Sequence, residues 1–428
     1  MLRKYLLIFL LFFGFAFAQQ ELWDTAMGRE RIFNALVDTF KENYWDTNYR
    51  DWNAWADEFR EDALNAESRA QFDRVLSRMI LDLHDDHSRW IGRLGEGMDF
   101  GGTESGQEGL GFQHAFLGNT GIVVERVYPD TPASIAGLQR GDVIVSINNE
   151  GLESSSDFSY NRIIREAIDS GHVSLEVKRK QSRISLELTP TRIDFGSVSS
   201  LPQANMLDEH TGYIYLPSFE GEGIGQKVHD LIRELEAQGA DSLILDLRDN
   251  PGGRLGELGL VMGAFLDGEW VEAISHGELV WRARYRRNGD QGINALIDPE
   301  DQVIASERIE DPVTFNGPLA VLVTKFNSSA GEIGPLVLQN LGRATIVGEV
   351  TSGNVEAIRT FDLPDGSLVY VAVANLQALD GTDFTTGLQP DVIVDDSSLD
   401  ELARGFDAPV AEALKALKGL PFTPGKFF

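Results

Sequence analysis

The sequence predicts an α/β multidomain chain, with a helical N-terminal region, a β-rich middle region with helices, and a C-terminal α/β core. Three observations predict it. Apolar residues recur at helical spacing from Glu21 to about Arg93, they alternate with period two over short segments between about 108 and 193, and from about 194 onward apolar strand-like runs alternate with amphipathic helices. The 428 residues are 42% hydrophobic and 24% charged, enough apolar material for a separate core in each region.

The chain opens with a targeting pattern. Arg3 and Lys4 precede an apolar run from Tyr5 to Phe17, and Ala16-Phe17-Ala18 supplies small residues for cleavage before Gln19. The run is shorter than the roughly 20 residues a membrane-spanning helix needs. Residues 1–18 are therefore expected to be a signal peptide, and the mature chain to be exported, periplasmic or extracellular, with no integral membrane segment. The helical region is expected over 19–95. Ile32, Leu36, Val37 and Phe40 share one helix face, as do Phe72, Val75, Leu76, Met79, Ile80 and Leu83, with Trp45, Trp52, Trp55 and Phe59 thickening the apolar surface.

Residues 94–107 are glycine-rich and read as a linker. The middle region is expected over 96–193. Ile122, Val124 and Val127 precede a Pro129-Asp130-Thr131-Pro132 turn, and Gly141 to Ile147 reads as a strand. Val173, Leu175 and Val177, then Ile184, Leu186 and Leu188, alternate around a polar turn as a hairpin does. The C-terminal core is expected over 194–428. Tyr213–Leu216, Leu243–Leu247, Pro318–Val323 and Ala344–Gly348 read as strands. Val228, Leu231, Ile232 and Leu235 mark one helix, Ala330–Leu341 is another, and Pro364-Asp365-Gly366 is a hairpin turn.

Charge and composition exclude several functions. Net charge is −30, from 37 basic and 67 acidic residues, which disfavours nucleic acid and anionic membranes as partners. There is no cysteine, so thiol nucleophiles, thiolate metal sites and disulfides are ruled out. No metal-ligand spacing and no phosphate-binding glycine loop occurs, and no cofactor is implied.

Two segments carry chemistry. Asp246-Leu247-Arg248-Asp249-Asn250-Pro251-Gly252-Gly253 follows a buried strand, and its glycines free N–H groups to converge on one spot, as an oxyanion requires. Asn327-Ser328-Ser329-Ala330-Gly331-Glu332 lies where a strand turns into a helix, a place that exposes a serine hydroxyl over a helix N-terminus. An isolated serine there is otherwise a helix cap.

The middle region resembles a PDZ domain through Gly109-Leu110-Gly111-Phe112, Ser134-Ile135-Ala136-Gly137-Leu138 and Arg140 to Asn148. The resemblance implies a groove that binds peptide C-termini at Gly109, Leu110, Gly111 and Phe112, with its lining helix within about Asp157 to Ile168. The third region resembles the carboxyl-terminal processing, or tail-specific, peptidases and the wider tricorn-like clan. The match rests on Asp246 to Gly253, Ser328 to Ile333, Gly342 to Glu349 and Gly387-Leu388-Gln389-Pro390-Asp391-Val392. It implies a serine endopeptidase with a protein or peptide substrate, Ser329 as nucleophile, and oxyanion donors on Gly252, Gly253 and Ala330.

One position departs from the tail-specific pattern, whose lysine base stands 25 residues beyond the nucleophile. Here that place is Asn354, which cannot take a proton, and Lys325 lies on the strand side of the serine. Tricorn-like relatives use a histidine from the N-terminal part of the catalytic unit. Asp86-His87-Ser88 resembles that segment, which makes His87 the expected base and His84 its neighbour. An imidazole titrates near pH 6.5 and so exchanges protons at neutral pH. For the carboxylate, the slot used by relatives is Phe384. Asp383 beside it is the expected third member, with Thr385 and Glu356 as further candidates. The alternative is a catalytically degenerate, PDZ-bearing peptide-binding adaptor. A glycoside hydrolase built on paired carboxylates has little in its favour.

Overall fold

Leu319–Val323 is buried at all five residues, as a strand covered on both faces must be. It lies in the middle of a six-stranded sheet ordered Gln203–Met206, Thr211–Tyr215, Ser242–Asp246, Leu319–Val323, Thr345–Gly348 and Val392–Ile393. All neighbours run parallel except the first pair. Because side chains alternate, Leu243, Leu245, Leu319, Val321 and Val323 face one core with the helices Ile224–Ala237, Leu255–Met262 and Ala330–Asn340. Ile244, Ala320, Leu322 and Val347 face the other way, against Ala413 and Leu417 of the helix Ala408–Gly419. The computed structural model describes residues 22–46, 48–85, 87–93, 107–117, 121–152 and 157–419; the expected signal peptide, most of the 94–107 linker and Asp86 lie outside these residues.

A second, seven-stranded sheet runs Arg89–Arg93, Ser367–Gln377, Gly268–Ser275, Glu278–Asn288, Gln291–Ile297 and Val303–Glu310, with Ala357–Asp362 also paired to Ser367–Gln377. The N-terminal helices Ala26–Asn43, Trp52–Leu64 and Arg69–Leu81 pack on it. Their buried stripes, including Phe33, Phe40, Trp55, Phe72 and Met79, close over Leu363, Val369 and Val371. The N-terminal region is thus part of the C-terminal sheet's core, and its last strand is an added strand of that sheet. An ion pair between half-buried Arg69 and fully buried Asp365 fixes the junction. Arg69 Nη1 donates to Asp365 Oδ2 at 2.5 Å and Nη2 to Ser367 Oγ at 2.6 Å, at the hairpin turn between Ala357–Asp362 and Ser367–Gln377.

The middle region forms its own sheet, Phe112–Phe116, Ile122–Val127, Val143–Ile147, Val173–Arg179 and Ser182–Leu188, with Phe112–Phe116 at one end and the helix Asp157–Asp169 alongside. The alternation at Val173, Leu175 and Val177 buries all three. The outer faces of Val123, Val143 and Val145 pack on Leu402 and Ala403 of the short helix Leu399–Ala403. Among the described residues no helix is long and apolar enough to cross a membrane.

His229, on the inner face of Ile224–Ala237, is fully buried. Its Nε2 donates to the Leu260 carbonyl at 2.9 Å and its Nδ1 accepts the Val313 N–H at 3.0 Å. Burial pushes its pKa down from 6.5 to about 4, against the weaker upward pull of the Leu260 carbonyl. The unfolded chain takes up this proton below about pH 6.5, whereas the folded chain resists until about pH 4. The stability contributed by the neutral ring is therefore whole above pH 6.5 and is lost as pH falls through 4. Urea unfolding between pH 7 and pH 4 should show the wild type losing on the order of 3 kcal/mol more than His229→Gln. Parallel pH profiles for the two proteins would refute this.

Candidate active site

The strand Leu319–Val323 delivers the chain to a turn whose shape is set by one buried side chain. Asn327 Oδ1 accepts the Thr324 N–H at 2.7 Å, while its Nδ2 donates to the Leu247 carbonyl at 2.6 Å and to the Gly331 carbonyl at 3.1 Å. Ser329 follows at φ 53°, ψ −130°, as the residue before the helix Ala330–Asn340. A non-glycine residue there carries strain on the order of 1–3 kcal/mol, the strain of a side chain held out on a sharp strand-to-helix turn. Its hydroxyl makes no helix-capping bond. The strain is retained because the backbone is clamped: the Ser329 N–H donates to the Asn354 carbonyl at 2.7 Å, and its carbonyl accepts from Glu332 and Ile333 at 2.8 and 3.0 Å.

The diglycine turn lies directly against this serine. Asn250 is fully buried, its Nδ2 donates to the Leu216 carbonyl at 2.8 Å, and its backbone carbonyl accepts the Ser328 N–H at 3.2 Å. Its Oδ1 accepts the Gly252 N–H at 2.8 Å. This corrects the expectation for Gly252, whose N–H is already committed and is not free for an oxyanion. What Gly252 supplies is space. At φ +98°, a Cβ there would stand 2.7 Å from Ser329 Cβ and 2.8 Å from the Ser328 carbonyl oxygen. The N–H groups of Gly253 and Ala330 have no acceptor among the described residues.

His87 comes from the other end of the chain to the loop that holds the Ser329 N–H. It is buried, and its Nδ1 lies 2.8 Å from Glu356 Oε2. As a carboxylate Glu356 can only accept, so in the neutral ring the proton sits on Nδ1 and the lone pair on Nε2. Asp85 shapes the approach: its Oδ1 accepts the N–H groups of His87 and Ser88 at 3.1 and 2.8 Å. Ser88 Oγ then accepts the Ala372 N–H at 3.0 Å, which registers this turn to the strand Ser367–Gln377. Glu356 is registered to the same strand, because Ala357 pairs with Ala374.

Glu332 joins the two halves. Its Oε1 accepts the Gly353 N–H and its Oε2 the Asn354 N–H, both at 2.8 Å. Burial pushes its pKa up, and bonds from Thr351, Gly353 and Asn354 pull against that. The loop carrying Glu356 is thereby pinned to the helix that begins after Ser329.

Asp383 is not part of this group, contrary to the sequence expectation. Its Oδ1 accepts the Thr385 N–H at 3.0 Å and its Oδ2 the Thr385 hydroxyl at 2.8 Å, with Asn375 Nδ2 at 3.4 Å. Burial pushes this carboxyl up, but the Thr385 and Asn375 bonds prevail and hold it below its ordinary range. Phe384, in the slot where relatives place the carboxylate, is a core residue. Lys325 is exposed and pairs with Glu349 at 3.0 Å. The carboxylate that meets His87 is Glu356, two residues past Asn354 in the loop that Ser329 itself holds. Among the described residues no three His, Asp or Glu side chains converge as a metal site.

In the middle region Leu110 and Gly111 give their carbonyls to Ala133 and Tyr128 at 2.8 and 2.9 Å. Gly111 sits at φ +85°, where a Cβ would meet Thr131 at 2.2 Å. Gly109 ends the short strand before it, and Phe112 opens the edge strand Phe112–Phe116. That edge faces the helix Asp157–Asp169 through His114 and Tyr160, with ring centroids 4.4 Å apart.

Residues 210–394 match the model of peptidase family S41, and residues 102–178 match that of the PDZ domain. A chloroplastic carboxyl-terminal-processing peptidase 2 from Arabidopsis thaliana is 28% identical over 350 residues, covering 78% of this chain and 63% of its own. A carboxyl-terminal-processing protease from Synechocystis is 31% identical over 298 residues, covering 68% of this chain and 63% of its own. The chain thus spans somewhat under two thirds of the length of these two relatives. The tricorn protease structure is 17% identical with a TM-score of 0.50, over 91% of this chain and 36% of that one, a likeness of fold.

Removing the Glu332 carboxylate would strand two N–H groups in the interior. Glu332→Ala should lower stability by about 3 kcal/mol in urea unfolding at pH 7, and Glu332→Gln, which keeps one acceptor, by less. Equal midpoints for wild type and Glu332→Ala would show that the grip is not made.

Proposed function

From the chain's membership of peptidase family S41, with its PDZ domain, we infer that it is an exported serine endopeptidase of the carboxyl-terminal processing type, working through Ser329, His87 and Glu356. The observation that carries this reading is the His87 Nδ1–Glu356 pair at 2.8 Å, made on the loop whose Asn354 carbonyl holds the nucleophile's own N–H at 2.7 Å. It supplies a base where the tail-specific pattern has a lysine and this chain has asparagine.

The chemistry follows from the protonation pattern. With the Nδ1 N–H hydrogen-bonded to the Glu356 carboxylate, Nε2 takes the Ser329 hydroxyl proton as Oγ bonds to the scissile carbonyl carbon. The carbonyl electron pair moves to oxygen, and the uncommitted N–H groups of Gly253 and Ala330 stabilise that oxyanion. Glu356 stabilises the imidazolium. Nε2 then hands its proton to the departing amine nitrogen, the C–N bond breaks, and an acyl-Ser329 ester remains. A water gives a proton to Nε2 while its oxygen attacks the ester, and collapse returns Oγ its proton and releases the new carboxylate. The PDZ domain would receive the substrate's C-terminal tail as an added strand on Phe112–Phe116, its terminal carboxylate at Gly109–Phe112.

A fluorophosphonate probe should label Ser329 in the wild type and leave Ser329→Ala unlabelled. In a casein cleavage assay, Ser329→Ala and His87→Ala should each lose at least about 10³-fold in kcat/KM, and Glu356→Gln about 10²–10⁴-fold, since the orienting carboxylate is lost. Asp383→Asn should stay within a factor of about three, because a carbonyl can still accept from Thr385. Full cleavage by Ser329→Ala would overturn the assignment. A large loss in Asp383→Asn with none in Glu356→Gln would exchange the two carboxylates.

A further inference from the structure

Asn354 has both backbone groups spent inside the site. Its N–H donates to Glu332 at 2.8 Å and its carbonyl accepts from Ser329 at 2.7 Å, which fixes the residue beside the nucleophile. Its side-chain Oδ1 is buried and has no hydrogen-bond partner. A buried carbonyl left without a donor costs about 1–3 kcal/mol, and such groups are uncommon unless something else uses them. Of the other acceptors in this group, Asn250 Oδ1 is taken by Gly252, Glu332 by Gly353 and Asn354, Glu356 by His87, and Asp85 Oδ1 by His87 and Ser88, while Asp85 Oδ2 is likewise buried without a partner but lies on the turn before His87, not on the loop that holds the Ser329 N–H.

We propose that Asn354 Oδ1 is a substrate-binding acceptor, reserved for the main-chain N–H of the substrate residue whose carbonyl is attacked. The inference rests on the peptidase reading and extends it to how the scissile bond is aimed. The donors within the site are unsuitable. The Nδ1 proton of His87 is held by Glu356, Nε2 keeps its lone pair for the Ser329 hydroxyl, and that hydroxyl must point to Nε2 to be activated. The nitrogen of the scissile bond must face His87 to receive its proton. The next donor along the peptide is the N–H on the acyl side, whose nitrogen lies about 2.5 Å from the attacked carbon. The Ser329 N–H bond holds Asn354 beside the nucleophile, and the proposal sets this group against its Oδ1. Anchoring it fixes the rotation of the scissile carbonyl between Ser329 Oγ and the N–H groups of Gly253 and Ala330.

The test pairs two substrates with two proteins. A casein-derived peptide, its cleaved bond mapped by mass spectrometry, is compared with a version in which that one N–H is replaced by an ester oxygen and the scissile amide is unchanged. The full-length wild type should lose about 10–100-fold in kcat/KM on the ester version. Asn354→Leu should lose a similar factor on the normal peptide and nothing further on the ester one, because the bond is already missing. Losses that multiply across the two changes would overturn the proposal. So would a wild type that cleaves both peptides within threefold, a result that needs no variant and stands even if Asn354→Leu fails to fold. A variant slowed only in hydrolysis of its acyl-enzyme would assign Oδ1 to the attacking water instead, and overturn it as well. Wild type unlabelled by the fluorophosphonate probe would overturn the peptidase reading itself, whereas labelled wild type without coupling overturns this inference alone.

Discussion

One buried carboxylate determines whether the site can exist. Glu332 lies in the first turn of the helix after Ser329, and its two oxygens take consecutive N–H groups from Gly353 and Asn354. Those two bonds place the Asn354 carbonyl where it receives the Ser329 N–H, and they place Glu356, two residues on, where it meets His87. The carboxylate's position at the helix N-terminus is itself favourable, since the helix dipole stabilises negative charge there. The same arrangement exacts a strained φ of +53° at Ser329, which the surrounding bonds over-determine.

The second constraint is the strand Ser367–Gln377. It pairs with Arg89–Arg93 and Gly268–Ser275 along one edge and Ala357–Asp362 along the other. His87 lies just before the first of these partners and Glu356 just before the last, so one strand sets the height of both side chains. The aromatic mass of the N-terminal helices has a role in this. Phe40, Trp52 and Trp55 pack together, with ring centroids 5.4 to 6.3 Å apart, and press the helices onto the sheet. The helical region therefore acts as the mount for His87, which is why it belongs to the C-terminal core rather than standing alone.

What the sequence made legible was local. The strand-to-helix passage at Asn327–Ala330 and the glycine pair after Asp246 are each contained within eight residues, and their chemistry follows from backbone geometry that short segments dictate. The misassigned positions turn on competition between bonds. Asp383 lies two residues before Thr385, the spacing at which an aspartate closes a turn on its own backbone, and that local bond outcompetes any distant imidazole. Gly252 follows Asn250 at the same spacing, and Asn250 Oδ1 takes its N–H in the same way. Glu356 could not be chosen by such rules, because its partner is 269 residues away and their meeting depends on strand register. The one signal the sequence holds is its place two residues after Asn354, the position where the tail-specific pattern has its lysine.

The PDZ domain is tied to the site by charge as well as packing. Arg248, two residues before Asn250, is almost wholly buried. It is bonded by Asp246 behind it, and by Asp396 at 2.7 Å and Asp407 at 2.9 Å from the C-terminal segment. Asp407 also lies 3.5 Å from Arg140 of the PDZ domain. Burial pushes the Asp407 carboxyl up, but Arg248 and Arg140 together hold it below its ordinary range, so it stays charged between them. A guanidinium desolvated to this degree is tolerable only with its carboxylates in place, and losing one would leave an uncompensated charge beneath the diglycine turn. The segment from 396 to 407 therefore serves two surfaces at once: its helix Leu399–Ala403 carries the valine face of the PDZ sheet, and its acidic ends neutralise the Arg248 cation that precedes the diglycine turn. Packing and electrostatics thus place the PDZ domain on the same strap that supports the turn against Ser329.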